Sequence, residues 1–129
     1  MLTAKYTLEY TYKRSLGPVL SAFFTGLRDG KLLGARTVSG EILMPPREYD
    51  QRGHDVVDLV EVAEIGTLQA FTTGNNCFGL VLLDGTHTAM IHHLDVAPSV
   101  CQVGLRVRVR WAPQRHGTMA DIEAFEAAP

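Results

Sequence analysis

Cysteine is scarce in this 129-residue chain: there are two, Cys77 and Cys101. They lie far apart and form no closely spaced thiolate pair of the kind that holds structural zinc. A disulfide between them stays open on sequence alone. The N-terminal stretch MLTAKYTLEYTYKR has no apolar run of signal-peptide length. The expected compartment is therefore the cytoplasm, and the expected state of both thiols is reduced. A basic excess is also missing. Twelve Lys and Arg face 14 Asp and Glu, for a net charge of −2, which argues against nucleic acid as the main partner. No stretch approaches the roughly 20 apolar residues of a membrane span. No Ser-His-Asp order, phosphate-binding glycine loop or paired-carboxylate motif stands out. What is present is the composition of a soluble globular domain, 46% hydrophobic and 20% charged. Its length lets it bury roughly two-thirds of its extended-chain surface, so folding needs neither a disulfide nor a metal.

The pattern along the chain divides near residue 54. Ser15 to Arg28 reads as a helix, with Ser15 as its cap and Pro18 in the first turn, where a missing N–H costs little. Leu16, Val19, Leu20, Phe23, Phe24 and Leu27 recur at three- and four-residue steps, an apolar stripe, and Asp29-Gly30 ends the helix. Residues 1–54 are read as this helix plus a short ribbon-like segment. From Asp55 the pattern has period two. Val57 to Phe71 predicts a long first strand with a break near Gly66. Phe78 to Leu83 runs into Asp84-Gly85, a hairpin signal, and Thr88 to Val96 returns. Leu105 to Trp111 alternates apolar residues with Arg106, Arg108 and Arg110, and Met119 to Phe125 forms the last strand. Five strands with short connections over 55–129 are compatible with a small Greek-key barrel such as the OB-fold. The chain is thus expected to be mainly β.

Arg36 to His54, RTVSGEILMPPREYDQRGH, has the outline of a zinc ribbon without its cysteines. Two turn-like segments flank the run Glu41-Ile42-Leu43-Met44 and the pair Pro45-Pro46. Tetrahedral zinc would need thiolate or imidazole ligands in those turns. The positions where they would sit read Arg36, Ser39, Asp50 and Gly53, and none is a thiolate. No zinc is expected there, because Asp50 and His54 alone supply too few ligands.

Other candidate sites each have a plain structural reading beside the functional one. His92 and His93 are adjacent in a strand, so they point to opposite faces and do not share an ion. His54, His87 and His116 are scattered. The ladder Arg106, Arg108, Arg110 suits phosphates or an acidic partner, but it lacks interleaved aromatics and reads first as the solvated face of a barrel strand. The loop TTGNNCF, residues 72–78, offers Asn75 and Asn76 as ligand donors, or simply as turn formers. Cys77 has no local base to make it a nucleophile. Phe23, Phe24, Leu27, Leu32 and Leu33 form either an interface or the packing of the helix on its own barrel.

Taken in order, Ser15-Leu16-Gly17, Phe23-Phe24-Thr25-Gly26-Leu27, Leu32-Leu33-Gly34, Val38-Ser39-Gly40, Pro45-Pro46-Arg47-Glu48-Tyr49, Gly66-Thr67-Leu68, Phe78-Gly79-Leu80-Val81 and Val103-Gly104-Leu105-Arg106-Val107 span roughly Tyr6 to Phe125. On these the chain resembles the small bacterial and archaeal proteins that join an N-terminal helix and rubredoxin-like zinc ribbon to a C-terminal OB-fold. Those proteins accompany thiolase-like enzymes acting on acyl-CoA. The resemblance implies an accessory subunit that is not catalytic alone. Its partner would be a thiolase-like or lipid-transfer-type enzyme making or breaking carbon–carbon bonds, as in lipid or steroid side-chain degradation. It implies docking through Leu16, Phe23, Phe24, Leu27, Leu32 and Leu33, with Arg47, Asn75, Asn76 and Phe78 near the entrance for the coenzyme A thioester. No cofactor is expected on the chain itself, and no nucleic acid or membrane. The isolated chain is open to self-association as a homodimer. The alternative is an OB-type binding module for single-stranded nucleic acid or another small ligand.

Overall fold

The structure, a computed structural model, describes residues 18–47 and 55–129. Helix α1 spans Pro18–Arg28. Strand β1 follows at Leu33–Thr37, β2 at Ile42–Leu43 and β3 at Val56–Glu61. Five more strands, β4 at Ile65–Phe71, β5 at Phe78–Leu83, β6 at Met90–Asp95, β7 at Arg106–Trp111 and β8 at Ile122–Ala127, complete the chain. The first three form a sheet in the order β2-β1-β3, and the last five close into a barrel in the order β4-β5-β6-β8-β7. All barrel pairs are antiparallel except β6 with β8. That order, with one parallel contact, is the OB arrangement. The fold is mainly β, as the sequence pattern predicts.

The end of α1 follows from its sequence. Lys31 N–H reaches Gly26 O at 2.8 Å and Gly30 N–H reaches Leu27 O at 3.0 Å. Gly30 sits at φ 75°. This is a Schellman ending, which favours glycine because a Cβ is penalised in left-handed backbone. The expected cap Ser15 lies outside the described residues, as do Leu16, Asp50, Gly53 and His54.

The expected long strand across 57–71 is two strands in two sheets. β3 pairs with β1, from Leu33 opposite Glu61 to Thr37 opposite Val56. The chain then changes sheets at residues 62–64 rather than at Gly66. Gly66 lies inside β4, where an added Cβ would come within 2.3 Å of Leu82 O. Its glycine marks a close strand approach and not a break. The last strand also starts later than the pattern suggests, because Met119–Asp121 form a 3₁₀ turn.

One core runs through both parts. Phe23, Leu27, Leu32 and Met44 pack with the barrel residues Leu68, Val81, Leu83, Met90, Leu94, Val107, Val109, Ile122 and Phe125. A helix with one apolar stripe must bury it somewhere, and here it does so against this chain. The small sheet is tied to the β5–β6 turn as well. His87 N–H donates to Ile42 O at 2.8 Å, and Ile42 N–H donates to His87 Nδ1 at 3.0 Å. Met44 N–H donates to Thr88 Oγ1 at 2.7 Å, and that hydroxyl donates to Met44 O at 2.9 Å. On the other side of the helix, Arg115 Nε donates to Arg28 O at 3.2 Å.

Candidate functional site

The outer face of the barrel splits by chemistry. On β7 and β8 it is charged and internally paired. Arg106 bonds both oxygens of Asp84, Arg108 bonds Glu126, and Arg110 bonds Asp95, Glu123 and Glu126. These bonds hold Arg110 above its usual range, first through Asp95 and then Glu123, and Arg108 foremost holds the Glu126 carboxyl below its own. The arginine ladder is therefore a solvated, ion-paired face, the plain reading of its alternation. Each guanidinium already has a carboxylate, so an incoming phosphate would have to displace one.

On β5 and β6 the outer face is nearly uncharged. Phe78 stands opposite His93, and Leu80 opposite Ile91. The Phe78 and His93 rings stack with centroids 4.7 Å apart. Ile91 is 67% exposed and Phe78 39%. Beside this face opens a cleft of about 330 Å³, lined by Asn75, Asn76, Cys77, His93, Asp95 and Glu123 among others. The cleft wall is set by a pinched loop. Thr72 N–H donates to Phe78 O at 2.9 Å, and Phe78 N–H returns a bond to Thr72 Oγ1 at 3.0 Å. Between them the chain must reverse, and Gly74 takes φ 120° to do it.

The structure brings together only part of the expected site. Asn75 and Asn76 line the cleft, and Phe78 adjoins it through His93. Arg47 does not line it. It is exposed, three residues past Met44, which is bound to Thr88 at the other end of β5 and β6. The docking residues need a firmer correction. Phe23, Leu27 and Leu32 are at most 1% exposed and belong to the core, because the stripe closes the barrel. Phe24 and Leu33 are half-buried against that core, and Leu16 lies outside the described residues. Sequence reasoning missed His93, Asp95 and Glu123 as cleft residues. The period-two placement of His93 on the outer face was the one available signal.

His92 and His93 do part to opposite faces. His92 turns inward, its Nε2 2.6 Å from Ile122 O and its ring edge-on to Phe125. Since the carbonyl accepts, Nε2 carries the hydrogen. Burial chiefly holds the His92 imidazole below its ordinary value, the Ile122 carbonyl acting against this and His93 adding to it. With the folded value below the unfolded one, the unfolded chain binds more protons in weak acid. The contribution of His92 to stability is complete above about pH 6.5 and declines as pH falls through the folded value. Urea unfolding at pH 7.5 and pH 5.5 is expected to show a loss that shrinks in His92→Gln. Equal losses in the two proteins would remove His92 as the cause.

Of the two ribbon turns, the first lies within the described residues and presents Arg36 and Ser39. Arg36 forms a two-pronged ion pair with Asp58, its cross-strand neighbour on β3. Ser39 Oγ lies 2.8 Å from Thr37 Oγ1. A guanidinium and a hydroxyl are not zinc ligands. Among the described residues no three His, Cys, Asp or Glu side chains converge as a metal site. Cys77 Sγ–H donates to Gly74 O at 3.4 Å, an arrangement that activates nothing. No helix among the described residues is long and apolar enough to cross a membrane.

The fold thus defines an OB barrel carrying an N-terminal helix and a three-stranded ribbon sheet. No protein-family model matches the sequence, and no curated protein matches it. Solved structures do match. A protein of unknown function from the DUF35 family of Sulfolobus solfataricus aligns with TM-score 0.62 and 17% identity, over 91% of this chain and 88% of that one. The Ltp2-ChsH2(DUF35) aldolase aligns with TM-score 0.67 and 18% identity, over 88% of this chain and 97% of the matched chain. The chain shares the fold of these DUF35 proteins.

Proposed function

We propose that this chain is a non-catalytic accessory subunit of a thiolase-like enzyme acting on acyl-CoA. The observation that carries the reading is the match, over nearly the whole of the aligned chain, to the DUF35-containing aldolase. The site chemistry agrees with it. In that reading the reactive groups belong to the partner. The cleft at Asn75 and Asn76 offers neutral donors to an acyl-CoA entrance, and Phe78 offers an exposed apolar ring beside it. Phe23, Leu27 and Leu32 are taken up by the chain's own core. The apolar side chains a partner can reach on the barrel exterior include Phe78 and Ile91. Excluding water from a partner's active site is a role such a surface can fill. The nucleic-acid reading loses support from the paired arginines and the negative net charge.

The test is co-expression of the tagged chain with a thiolase-like protein encoded beside it, followed by light scattering of the purified material. A complex of defined mass is expected, and Ile91→Asp is expected to weaken it at least tenfold while leaving the melting curve unchanged. A chain that stays alone beside every such candidate would overturn the accessory-subunit reading. A complex indifferent to Ile91→Asp would keep that reading and move the contact elsewhere.

A further inference from the structure

The barrel end away from the β5–β6 turn is closed by two loops, residues 72–77 between β4 and β5 and residues 96–105 between β6 and β7. The antiparallel pairings β4–β5, β5–β6 and β4–β7 put them at the same end, since β4 and β6 finish there and β5 and β7 start there. Each loop carries one of the chain's two cysteines, and both thiols are free. Both are anchored against the end of the barrel. Leu94 N–H donates to Cys77 O at 2.9 Å, which sets Cys77 beside the last residues of β6. Just past β6 the chain folds back, with Cys101 N–H donating to Ala97 O at 3.1 Å. The same loop is then stitched to β4, where Gly104 N–H reaches Leu68 O at 2.8 Å. Both cysteine side chains are half-buried and pack on the same core cluster.

From this placement we propose that Cys77 and Cys101 are a redox pair, closing to an intramolecular disulfide when the chain meets a low-molecular-weight disulfide such as oxidised glutathione. Burial, and after it the charge of Cys77, pushes the Cys101 thiol up. Cys77, which lines the open cleft, is the first attacker and Cys101 the second. In the first step the Cys77 thiolate attacks one sulfur of the glutathione disulfide, and a glutathione thiolate leaves. In the second, the Cys101 thiolate attacks Cys77 Sγ of the mixed disulfide and expels a second glutathione thiolate. Two protein thiols are oxidised, one glutathione disulfide is reduced, and the two protons end on the two glutathione thiols. With no third cysteine in the chain, no internal reshuffling competes.

The bond would join the wall of the cleft to the neighbouring loop. Cys77 lines the cleft with Asn75 and Asn76. Oxidation would therefore fix the loop that shapes this opening, whatever the cleft binds. The inference does not depend on the accessory-subunit reading.

The experiment treats the reduced, full-length chain with oxidised glutathione at mildly alkaline pH, blocks remaining thiols with iodoacetamide and records intact mass and a peptide map. The expected product is a monomer lighter by two hydrogens, with no alkylation and a cross-linked peptide joining Cys77 to Cys101. Cys77→Ser and Cys101→Ser should each stop at one glutathione adduct or one free thiol. A wild-type product carrying two glutathiones, a disulfide-linked dimer, or two thiols still alkylatable after prolonged exposure would each overturn the proposal.

Discussion

Phe23→Ala is expected to remove about 3–5 kcal/mol of stability, the usual cost of truncating a fully buried aromatic. For a domain whose whole stability is on the order of 5–15 kcal/mol, that is a large share. The reason is its position. Phe23 is 1% exposed, stacks obliquely on Phe24 at 5.5 Å and joins the core cluster that includes Leu68, Val81 and Phe125. It is the point where the helix seals the barrel, so its loss leaves a cavity bounded by several elements. Urea unfolding followed by circular dichroism reads the effect. A midpoint equal to that of the parent chain would mean that the helix does not pack as described. Phe24→Ala serves as the internal comparison. That side chain is only half-buried, so its loss is expected to be smaller.

Asp121→Ala carries the second large effect, through hydrogen bonds rather than packing. Asp121 is 1% exposed, and its carboxylate accepts from three consecutive backbone N–H groups: His116 at 2.8 Å, Gly117 at 2.6 Å and Thr118 at 3.3 Å. Burial alone would push its carboxyl up, but the three N–H groups and the nearby His116 together hold it below the usual carboxylate range. Bonds to a charged acceptor are worth about 1.5–3 kcal/mol each way they are broken, so a loss near about 3 kcal/mol is expected. Hydrogen exchange should locate it, with the amides of His116 and Gly117 losing protection first. Asp121→Asn keeps one acceptor oxygen and should fall between Ala and the parent. The sign with pH is fixed by the lowered value: the contribution is full above the unfolded carboxyl's pKa and is lost as pH falls through the folded one. The gap between parent and Asp121→Asn should therefore close in acid. A gap that persists there would assign the effect to shape rather than charge.

Much of the barrel was legible because period-two alternation reports directly on which side chains face in. Leu105 to Trp111 is the clearest case. Val107 and Val109 are buried and the arginines are outside, as the alternation requires. The divergence of His92 and His93 was legible for the same reason. The strand break was not. Val56–Glu61 and Ile65–Phe71 both read as extended, and the partner of each, β1 for one and β5 with β7 for the other, separates them. Local pattern holds no information about that choice. The fate of the helix stripe was equally hidden. An apolar face on a short helix looks the same whether it meets its own barrel or another protein, and the deciding contacts lie far away in sequence. The cleft was half visible. Its loop residues Asn75 and Asn76 stood out by composition, whereas Asp95 and Glu123 come from β6 and β8, strands joined by the parallel pairing of Leu94 with Phe125 and Asp95 with Glu126.

The bond from Arg115 to Arg28 O spans 87 positions, and the helix near the start of the described chain leans on the turn just before β8. A molecule built on such distant contacts pays the entropy of closing large loops before any of them rewards it. Its barrel consequently cannot close before β8, its last strand, has been made. Until β8 has left the ribosome, β6 and β7 have no strand between them and the barrel has an open seam. During that interval the apolar interior that α1 will finally seal is within reach of chaperones and of other unfinished chains.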